Sequence, residues 1–258
     1  MLRNDWSQAL NEPDQPRMSE PSKPPQGRVT RMLLQWLMRP ARIAGIEVLS
    51  PRFRSIALEG DALKGLAWTV GQKIQVAMGS GLSARTYTPM SWDAENGRTT
   101  LLAFAHGSGP GSRWASSLQE GDMCWLFGPR RSLEPSAGEP PTVLFGDETS
   151  FGLASALQKS RQAGGTIHVF EVSDAAEAGP VLAAIGLGSA TLIARSAEDA
   201  HLAAVEAELL RFSASAHFVL TGKASSIQRI SRALKAAGVA TSRMRTKAYW
   251  APGKTGLD

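Results

Sequence analysis

Cysteine is nearly missing from this chain, since Cys124 is the single one among 258 residues. A lone cysteine excludes an internal disulfide, and it excludes zinc or iron–sulfur sites built from several cysteine ligands. Histidine is also scarce, and the four histidines do not fall at metal-binding spacing: His106, His168, His201 and His217. We therefore expect no metal held by the protein. Redox chemistry would then need an organic cofactor, because ordinary side chains do not carry hydride.

Long apolar runs are absent as well. No stretch reaches the 18 apolar residues typical of a membrane span, and the N-terminus lacks the apolar core of a secretory signal. We expect a cytoplasmic protein without stable membrane insertion. Residues 1–27 are rich in proline, serine and charged residues, which predicts a disordered leader or a true start at Met18.

The sequence pattern changes near residue 140. Before it, short strand-like runs alternate with turns, which is typical of a small β-barrel: 42–49, 53–59, 72–79, 84–90, 99–106 and 122–128. A proline-rich linker, 135–141, follows. Beyond it, predicted strands alternate with predicted helices (150–162, 175–184, 197–211 and 225–237), which indicates a parallel sheet covered on both faces. The predicted strands are 142–145, 166–172, 190–194, 216–220 and 241–247.

One predicted strand carries groups suited to a planar, phosphorylated cofactor. It reads Arg85-Thr86-Tyr87-Thr88-Pro89. It offers a guanidinium for phosphate, an aromatic face for a ring system and hydroxyls for ring nitrogens. Strand alternation puts Arg85, Tyr87 and Pro89 on one side and the two threonines on the other.

A glycine-rich segment follows about twenty residues later. It reads His106-Gly107-Ser108-Gly109-Pro110-Gly111-Ser112-Arg113-Trp114-Ala115. Its glycines expose backbone N–H groups, and we expect Ser112 to cap a helix that begins at Arg113. A helix N-terminus behind such a turn favours an anion.

In this order and spacing, the two segments and the later Gly121-Asp122 resemble the siderophore-interacting protein family, within the ferredoxin–NADP reductase superfamily. The resemblance spans roughly residues 40–252. It implies a six-stranded antiparallel Greek-key barrel that binds FAD (28–134) and an NAD(P)H-binding-like α/β/α domain (142–258). It also implies a monomeric FAD-dependent ferric-siderophore reductase. Electrons would pass from NADPH or NADH through FAD to Fe(III) in a siderophore, with reduced ferredoxin as another possible donor.

The resemblance also implies roles for individual residues. Arg85 and the loop residues Gly109, Pro110, Gly111 and Ser112 would hold the pyrophosphate. Tyr87 would stack on the flavin and Thr88 would hydrogen-bond near its N5, which makes these two the expected catalytic pair. The remaining expected cofactor contacts are Thr86, His106, Trp114, Asp147, Thr149, Tyr249 and Trp250.

The first strand of the predicted parallel sheet ends in Gly146-Asp147-Glu148-Thr149-Ser150 rather than in a glycine fingerprint. We expect Thr149 or Ser150 to cap the following helix, with both acidic residues at its positive end. The next strand ends near Glu171, Ser173 and Asp174, and an acidic residue there favours NADH over NADPH.

Basic residues concentrate toward the C-terminus, and the chain as a whole has a net charge of +5. We expect Lys223, Arg245 and Lys247 to face one crevice and to attract an anionic ferric chelate. A solvated basic face is the alternative, and no nucleic-acid partner is expected because no such motif is present.

Two positions depart from the family pattern. Met90 stands where the family usually has a second arginine, so we expect weaker FAD binding, and tighter binding with arginine there. Gly222-Lys223 replaces the usual G-E, which reverses a charge. These departures motivate a second hypothesis, a flavin-binding module with reduced or lost reductase activity. A third hypothesis is a basic nucleotide- or nucleic-acid-binding protein with an inert barrel.

Overall fold

The structure, a computed structural model, describes residues 38–78, 84–107, 109–134, 141–160 and 165–254. All of them belong to one compact unit, Leu37–Asp258. The predicted leader and residues 135–140 of the predicted linker lie outside the described residues. Within the described part, no helix has the length and apolar character needed to cross a bilayer.

The N-terminal domain is an antiparallel sheet, as predicted, with seven strands instead of six. The strands are β1 (Arg39–Val48), β2 (Phe53–Glu59), β3 (Lys73–Ala77), β4 (Ala84–Tyr87), β5 (Ser91–Asp93), β6 (Arg98–Phe104) and β7 (Met123–Arg130). Their order is β4-β3-β7-β1-β2-β6-β5. Helix α1 (Pro110–Ser117) separates β6 from β7. The predicted run 84–90 ends early, at Tyr87, and the additional strand, β5, lies between two predicted runs and pairs with β6.

The apolar residues of this sheet share one interior. Fully buried side chains from five strands and one turn meet there, among them Ile43, Ile56, Leu58, Leu63, Ile74, Val76, Leu101 and Leu126. Burying apolar surface is worth about 25 cal/mol per Å², so this interior is the main source of the domain's stability.

The C-terminal domain is a five-stranded parallel sheet. Its strands are β8 (Thr142–Gly146), β9 (Thr166–Val172), β10 (Thr191–Ala194), β11 (His217–Lys223) and β12 (Met244–Trp250), in the order β10-β9-β8-β11-β12. The helices are α2 (Phe151–Ser160), α3 (Ala175–Ala184), α4 (Leu202–Leu210) and α5 (Ala224–Ala236). The strand order reverses at β8, which makes its carboxyl end the usual ligand position of such sheets.

Both faces of this sheet are covered, as the strand–helix alternation predicted. Val143 and Phe145 of β8 belong to a cluster with α4 and α5, whereas Leu144 belongs to a cluster with α2 and α3. This alternation follows from the two-residue period of a strand.

Two predicted boundaries in this domain are wrong. The predicted helix 197–211 is broken, because Glu198 and Asp199 have φ angles of 54° and 57°, outside the helical region. The predicted strand 241–247 begins later, at Met244, because Thr241–Arg243 forms a 3-10 turn. The strand ends at Trp250, so Tyr249 and Trp250 lie at its carboxyl end.

The two domains share an apolar cluster. Phe53, Met90 and Leu102 of the first domain join residues of α2 and β9. The rings of Phe53 and Phe151 stack with centroids 5.6 Å apart, and a Cβ on Gly152 would lie 3.0 Å from the Thr88 carbonyl oxygen. The start of α2 is therefore held tightly against the segment that follows β4.

A polar link joins the β1–β2 turn to α3. The carboxylate of Glu177 accepts hydrogen bonds from Ser50 Oγ (2.6 Å), the Arg52 backbone N (3.1 Å) and Arg52 Nε (2.5 Å). Arg52 NH1 also donates to Ser173 Oγ at 3.0 Å. Burial raises the pKa of Glu177, but these hydrogen bonds outweigh burial and the pKa is lowered.

We predict that Arg52→Ala lowers the free energy of unfolding by about 1.5–3 kcal/mol, because it removes hydrogen bonds to a charged, largely buried carboxylate. Urea unfolding measures the change. Arg98→Ala is the matched control, since Arg98 also pairs with a glutamate, Glu59, but is 66% exposed. That control should cost less than about 1 kcal/mol. Equal costs for the two variants would contradict the link.

Met90 generates a second prediction that reverses the expectation from sequence. Its side chain is 4% exposed and lies in the shared apolar cluster, with Cγ 3.8 Å from the Cβ position of Gly152. Met90→Arg should therefore destabilise the fold by about 3 kcal/mol or more, because it buries an unpaired charge. Met90→Leu, which keeps the volume, should cost less than about 1.5 kcal/mol. An unchanged urea midpoint for the arginine variant would show that the side chain reaches solvent or an anion.

Candidate functional site

The R-T-Y strand and the glycine-rich loop lie side by side. Arg85 is exposed on β4, and its NH1 donates to the Ala84 carbonyl at 2.9 Å. A Cβ on Gly111 would be 3.2 Å from Arg85 Cγ, so the glycine lets the arginine side chain lie across the start of α1. The structure thus brings together two of the segments that sequence analysis singled out.

The loop ends in a helix that begins earlier than expected. Gly109 is the N-cap residue and Pro110 the first helical residue, a position that suits the fixed φ of proline. Ser112 is therefore not the cap, and its buried hydroxyl donates to the His106 carbonyl at 2.9 Å. His106 itself is exposed and lies beside Phe104, with ring centroids 5.2 Å apart.

The geometry of this corner fits a pyrophosphate. Apart from their chain neighbours, no described residue has an atom within 4 Å of the Cβ positions of Gly107 and Gly109, so a ligand can approach the backbone there. An exposed guanidinium, open glycine N–H groups and the N-terminus of α1 together form a set of donors for phosphate oxygens.

Tyr87 packs inward at the end of β4. Its ring centroid is 6.0 Å from that of Trp114, and both side chains pack against the core of the first domain. Burial raises the pKa of Tyr87 well above its usual value, so its hydroxyl stays protonated. Thr86, between Arg85 and Tyr87, is exposed.

Asp147 lies at the carboxyl end of β8 and is completely buried. Its Oδ1 accepts from the Thr149 backbone N at 2.9 Å and from the Thr149 hydroxyl, and its Oδ2 accepts from Trp250 Nε1 at 2.6 Å. Burial raises the pKa of Asp147 to about 6, although these hydrogen bonds act in the opposite direction. Asp147, rather than Thr149 or Ser150, is therefore the cap of the turn that begins α2.

Arg195, which sequence analysis did not identify, connects the strand ends. Its NH2 lies 2.8 Å from Glu148 Oε2 and 3.7 Å from Asp147 Oδ2. Its guanidinium lies 5.9 Å from the centroid of the Trp250 ring. The sequence indicates this role only through the position of Arg195, one residue after β10. The carboxyl ends of parallel strands lie at one edge of the sheet, so a residue there is close to the other strand ends.

Tyr249 joins this edge to the first domain. Its hydroxyl is hydrogen-bonded with Thr88, and burial raises its pKa to about 12. Five of the expected flavin residues therefore lie at one junction, between the end of β4 and the carboxyl ends of β8 and β12: Thr88, Asp147, Thr149, Tyr249 and Trp250.

The acidic residue expected to contact a ribose is turned into the core. Glu171 is 1% exposed and lies 2.7 Å from Nε2 of the buried His201. Asp174 caps α3 by accepting from the Glu177 backbone N at 3.0 Å. A ribose contact from Glu171 is therefore ruled out by its burial, and Asp174 is the acidic residue that remains exposed at this strand end.

Two of the three expected substrate cations, Lys223 and Arg245, lie apart along the sheet, whereas Lys247 pairs with Thr221, two residues before Lys223. Lys223 Nζ lies 2.7 and 2.8 Å from the two carboxylate oxygens of Asp199, and Lys223 pairs with Trp250. Arg245 pairs with Val219, four residues before Lys223, which is about 13 Å along the sheet. The late start of β12 causes this separation, because it leaves Arg245 near the amino end of the strand.

Comparisons with known families match both domains. A model described as the siderophore-interacting FAD-binding domain matches residues 75–133, and a model described as siderophore-interacting protein matches residues 140–253. Together they cover about two thirds of the chain. A comparison with curated protein sequences gives no match.

Solved structures share the fold. A siderophore utilization protein from T. fusca has a TM-score of 0.66 and 23% identity, covering 86% of this chain and 95% of that one. The siderophore-interacting protein from Acinetobacter baumannii has a TM-score of 0.69 and 17% identity, covering 84% and 92%.

The FAD/NAD-binding domain of a nitric oxide dioxygenase from Vibrio cholerae has a TM-score of 0.65 and 20% identity, covering 83% of this chain and 99% of that one. These likenesses show a ferredoxin reductase-like fold. Because the two family models span the strand–loop corner and the parallel sheet alike, the chain belongs to the siderophore-interacting protein family.

Proposed function

We propose that this protein is an FAD-dependent ferric-siderophore reductase. The observation that supports this most strongly is the close approach of α2 to Thr88, since a Cβ on Gly152 would lie 3.0 Å from the Thr88 carbonyl oxygen. It places the segment that follows the phosphate-suited strand directly against the carboxyl edge of the parallel sheet. A flavin held along β4 would then lie where the sheet presents its ligands.

The residues at this junction fit FAD. Arg85 and the backbone around Gly109 and Gly111 would hold the pyrophosphate, and Tyr87 would flank the ring system. Thr88 would offer its hydroxyl at the reactive edge of the ring. When bound, FAD supplies the chemistry that side chains lack, because it accepts a hydride and releases electrons singly.

The ferric siderophore is the proposed substrate, and Fe(II) leaves because it binds such chelators less tightly than Fe(III). With a net charge of +5, the chain attracts anionic chelates. Since Lys223 is paired with Asp199, we propose that Lys223, Arg245 and Lys247 contribute to a general positive field rather than to one pocket. NADPH or NADH is the proposed electron donor.

A second candidate is a flavin protein that receives electrons from reduced ferredoxin, or that only carries flavin. The carboxylates of Asp147 and Glu148 stand at the start of α2, where nucleotide-binding sheets place a pyrophosphate. Two buried carboxylates disfavour an anionic ligand at that position. This observation favours a donor other than a dinucleotide bound across the strand ends.

The visible spectrum of the purified protein tests the proposal. Reductase activity requires the absorption bands of oxidised flavin, bleaching by NADPH or NADH without oxygen, and recovery when a ferric siderophore is added. Bleaching by reduced ferredoxin alone would favour the second candidate. Absence of flavin absorption after incubation with FAD would contradict both.

Arg85→Ala should weaken FAD binding while the fold survives, because Arg85 is exposed and contributes nothing to the core. Loss of a charged hydrogen-bond donor costs about 1.5–3 kcal/mol, or roughly a ten- to hundredfold rise in the Kd for FAD. Fluorescence titration of FAD measures it. Arg98→Ala removes another exposed strand arginine and should leave the Kd unchanged. Equal Kd values for both variants would count against a phosphate role for Arg85.

A further inference from the structure

Two neighbouring aromatic residues at the end of β12 have different partners. Tyr249 is hydrogen-bonded with Thr88 of the first domain, whereas Trp250 donates to the buried Asp147. The ladder between β11 and β12 is irregular here, since Gly222 pairs with Ala248 and Lys223 with Trp250. Tyr249 is thus an extra residue in β12 that has no partner residue in β11. Such bulges re-aim side chains that a regular strand would fix.

The backbone around Asp147 makes room for its carboxylate. Gly222 has a φ of +97°, and a Cβ at that position would be 2.5 Å from Asp147 Oδ2. Any other residue at 222 would combine backbone strain with a collision against the carboxylate. Gly222, the next-to-last residue of β11, is therefore in close contact with the same carboxylate that holds Trp250.

The two oxygens of Asp147 have separate duties. Oδ1 accepts from the backbone N and hydroxyl of Thr149, and Oδ2 accepts from the Trp250 indole. Because the residue is completely buried and both oxygens are engaged, it does not present an oxygen to a cofactor. The direct cofactor contact expected of Asp147 from the sequence is therefore replaced here by an indirect role.

We propose that Asp147 is a positioning residue that holds Trp250 at the carboxyl edge of the sheet. Through Trp250 and the adjoining Tyr249 it fixes the aromatic wall that faces the junction with Thr88. The hydrogen bond stands on the geometry of this chain alone. Its effect on a bound flavin rests on the proposed function.

The protonation state of Asp147 determines how many hydrogen bonds its carboxyl group can accept. As a carboxylate it accepts with both oxygens, whereas the protonated acid uses one oxygen to carry the proton. Its charged neighbours are Arg195, with NH2 at 3.7 Å, and Glu148, and its burial raises the pKa to about 6. The raised pKa means that the carboxylate is present above about pH 6 and is lost as the pH falls through that value.

Asp147→Asn imitates the acid state at every pH, because an amide also has a single acceptor oxygen. The bond with Thr149 is local to the cap, so we expect the variant to keep that bond and to release Trp250. Asp174→Asn is the matched control, since Asp174 is also a capping aspartate but is exposed and accepts its capping bond from the Glu177 backbone N.

The test is NMR of the full chain with ¹⁵N-labelled tryptophan, and Trp250→Phe assigns the Trp250 indole signal. In the unsubstituted protein and in Asp174→Asn, this signal should shift with a midpoint near pH 6. In Asp147→Asn it should stay, between pH 5 and 8, at the position that the unsubstituted protein reaches in acid. A signal that does not titrate in the unsubstituted protein, or that still titrates in Asp147→Asn, overturns the proposal.

A second measurement covers the case in which Asp147→Asn does not fold. The carboxyl ¹³C signal of Asp147 should titrate at higher pH in Trp250→Phe, because loss of the indole donor removes a bond that lowers the pKa. An unchanged midpoint in that variant would also overturn the proposal.

Binding of FAD separates this inference from the proposed function. Affinity should fall about tenfold as the pH drops through 6 in the unsubstituted protein, and it should be lower and flat in Asp147→Asn. If the indole titrates as expected but no variant binds FAD, the positioning is supported and the proposed function fails. If FAD binds tightly and the indole does not titrate, the positioning fails and the proposed function is untouched.

Discussion

The close approach of α2 to the segment after β4 is the constraint on which the site depends. A glycine at position 152 permits this approach, because a Cβ there would lie only 3.0 Å from the Thr88 carbonyl oxygen. Phe53 and Met90 seal the same junction with apolar surface, and Arg52 anchors it to α3 through Glu177. These contacts fix Thr88 against the parallel sheet. A ligand bound along β4 would therefore lie next to a ligand bound at the carboxyl ends of the parallel strands.

The electrostatics of this junction follow from burial. Asp147 and Glu148 are removed from water, and each is compensated by hydrogen bonds and by the nearby Arg195. Removing one partner from such a group costs more than the bond contributes, because the remaining charge is left buried. The network therefore holds the ends of β8, β10 and β12 in a single arrangement. It also sets Trp250 and Tyr249 in fixed positions beside the first domain.

The sequence predicted the domain classes and most elements because strand and helix periodicities differ clearly. The strand 166–172 and the helix 175–184 have the predicted bounds. The errors lie where local chemistry competes with periodicity. Pro110 places the start of α1 earlier than the sequence predicted. Glu198 and Asp199, which have positive φ angles, interrupt a predicted helix whose polar and apolar residues have helical spacing.

The site was predictable only in part. Motif spacing identified the residues of β4 and of the glycine-rich loop. It did not indicate which charged side chains would form ion pairs within the protein. Lys223 is paired with Asp199, Glu171 with His201, and Arg195 reaches the site from a strand two places away from β8. Such pairings depend on register and burial, which no local pattern encodes. Met90 illustrates the same point, since a departure from a family pattern is a core residue in this chain.

The central claim is that FAD binds where β4, the start of α1 and the end of β12 converge. Hydrogen exchange with mass spectrometry, with and without FAD, tests it most directly. FAD should slow exchange together in residues 84–90, 106–115 and 248–252, with little change in residues 244–247, the amino-terminal half of β12. Protection confined to other parts of the chain, or no protection at saturating FAD, would contradict it.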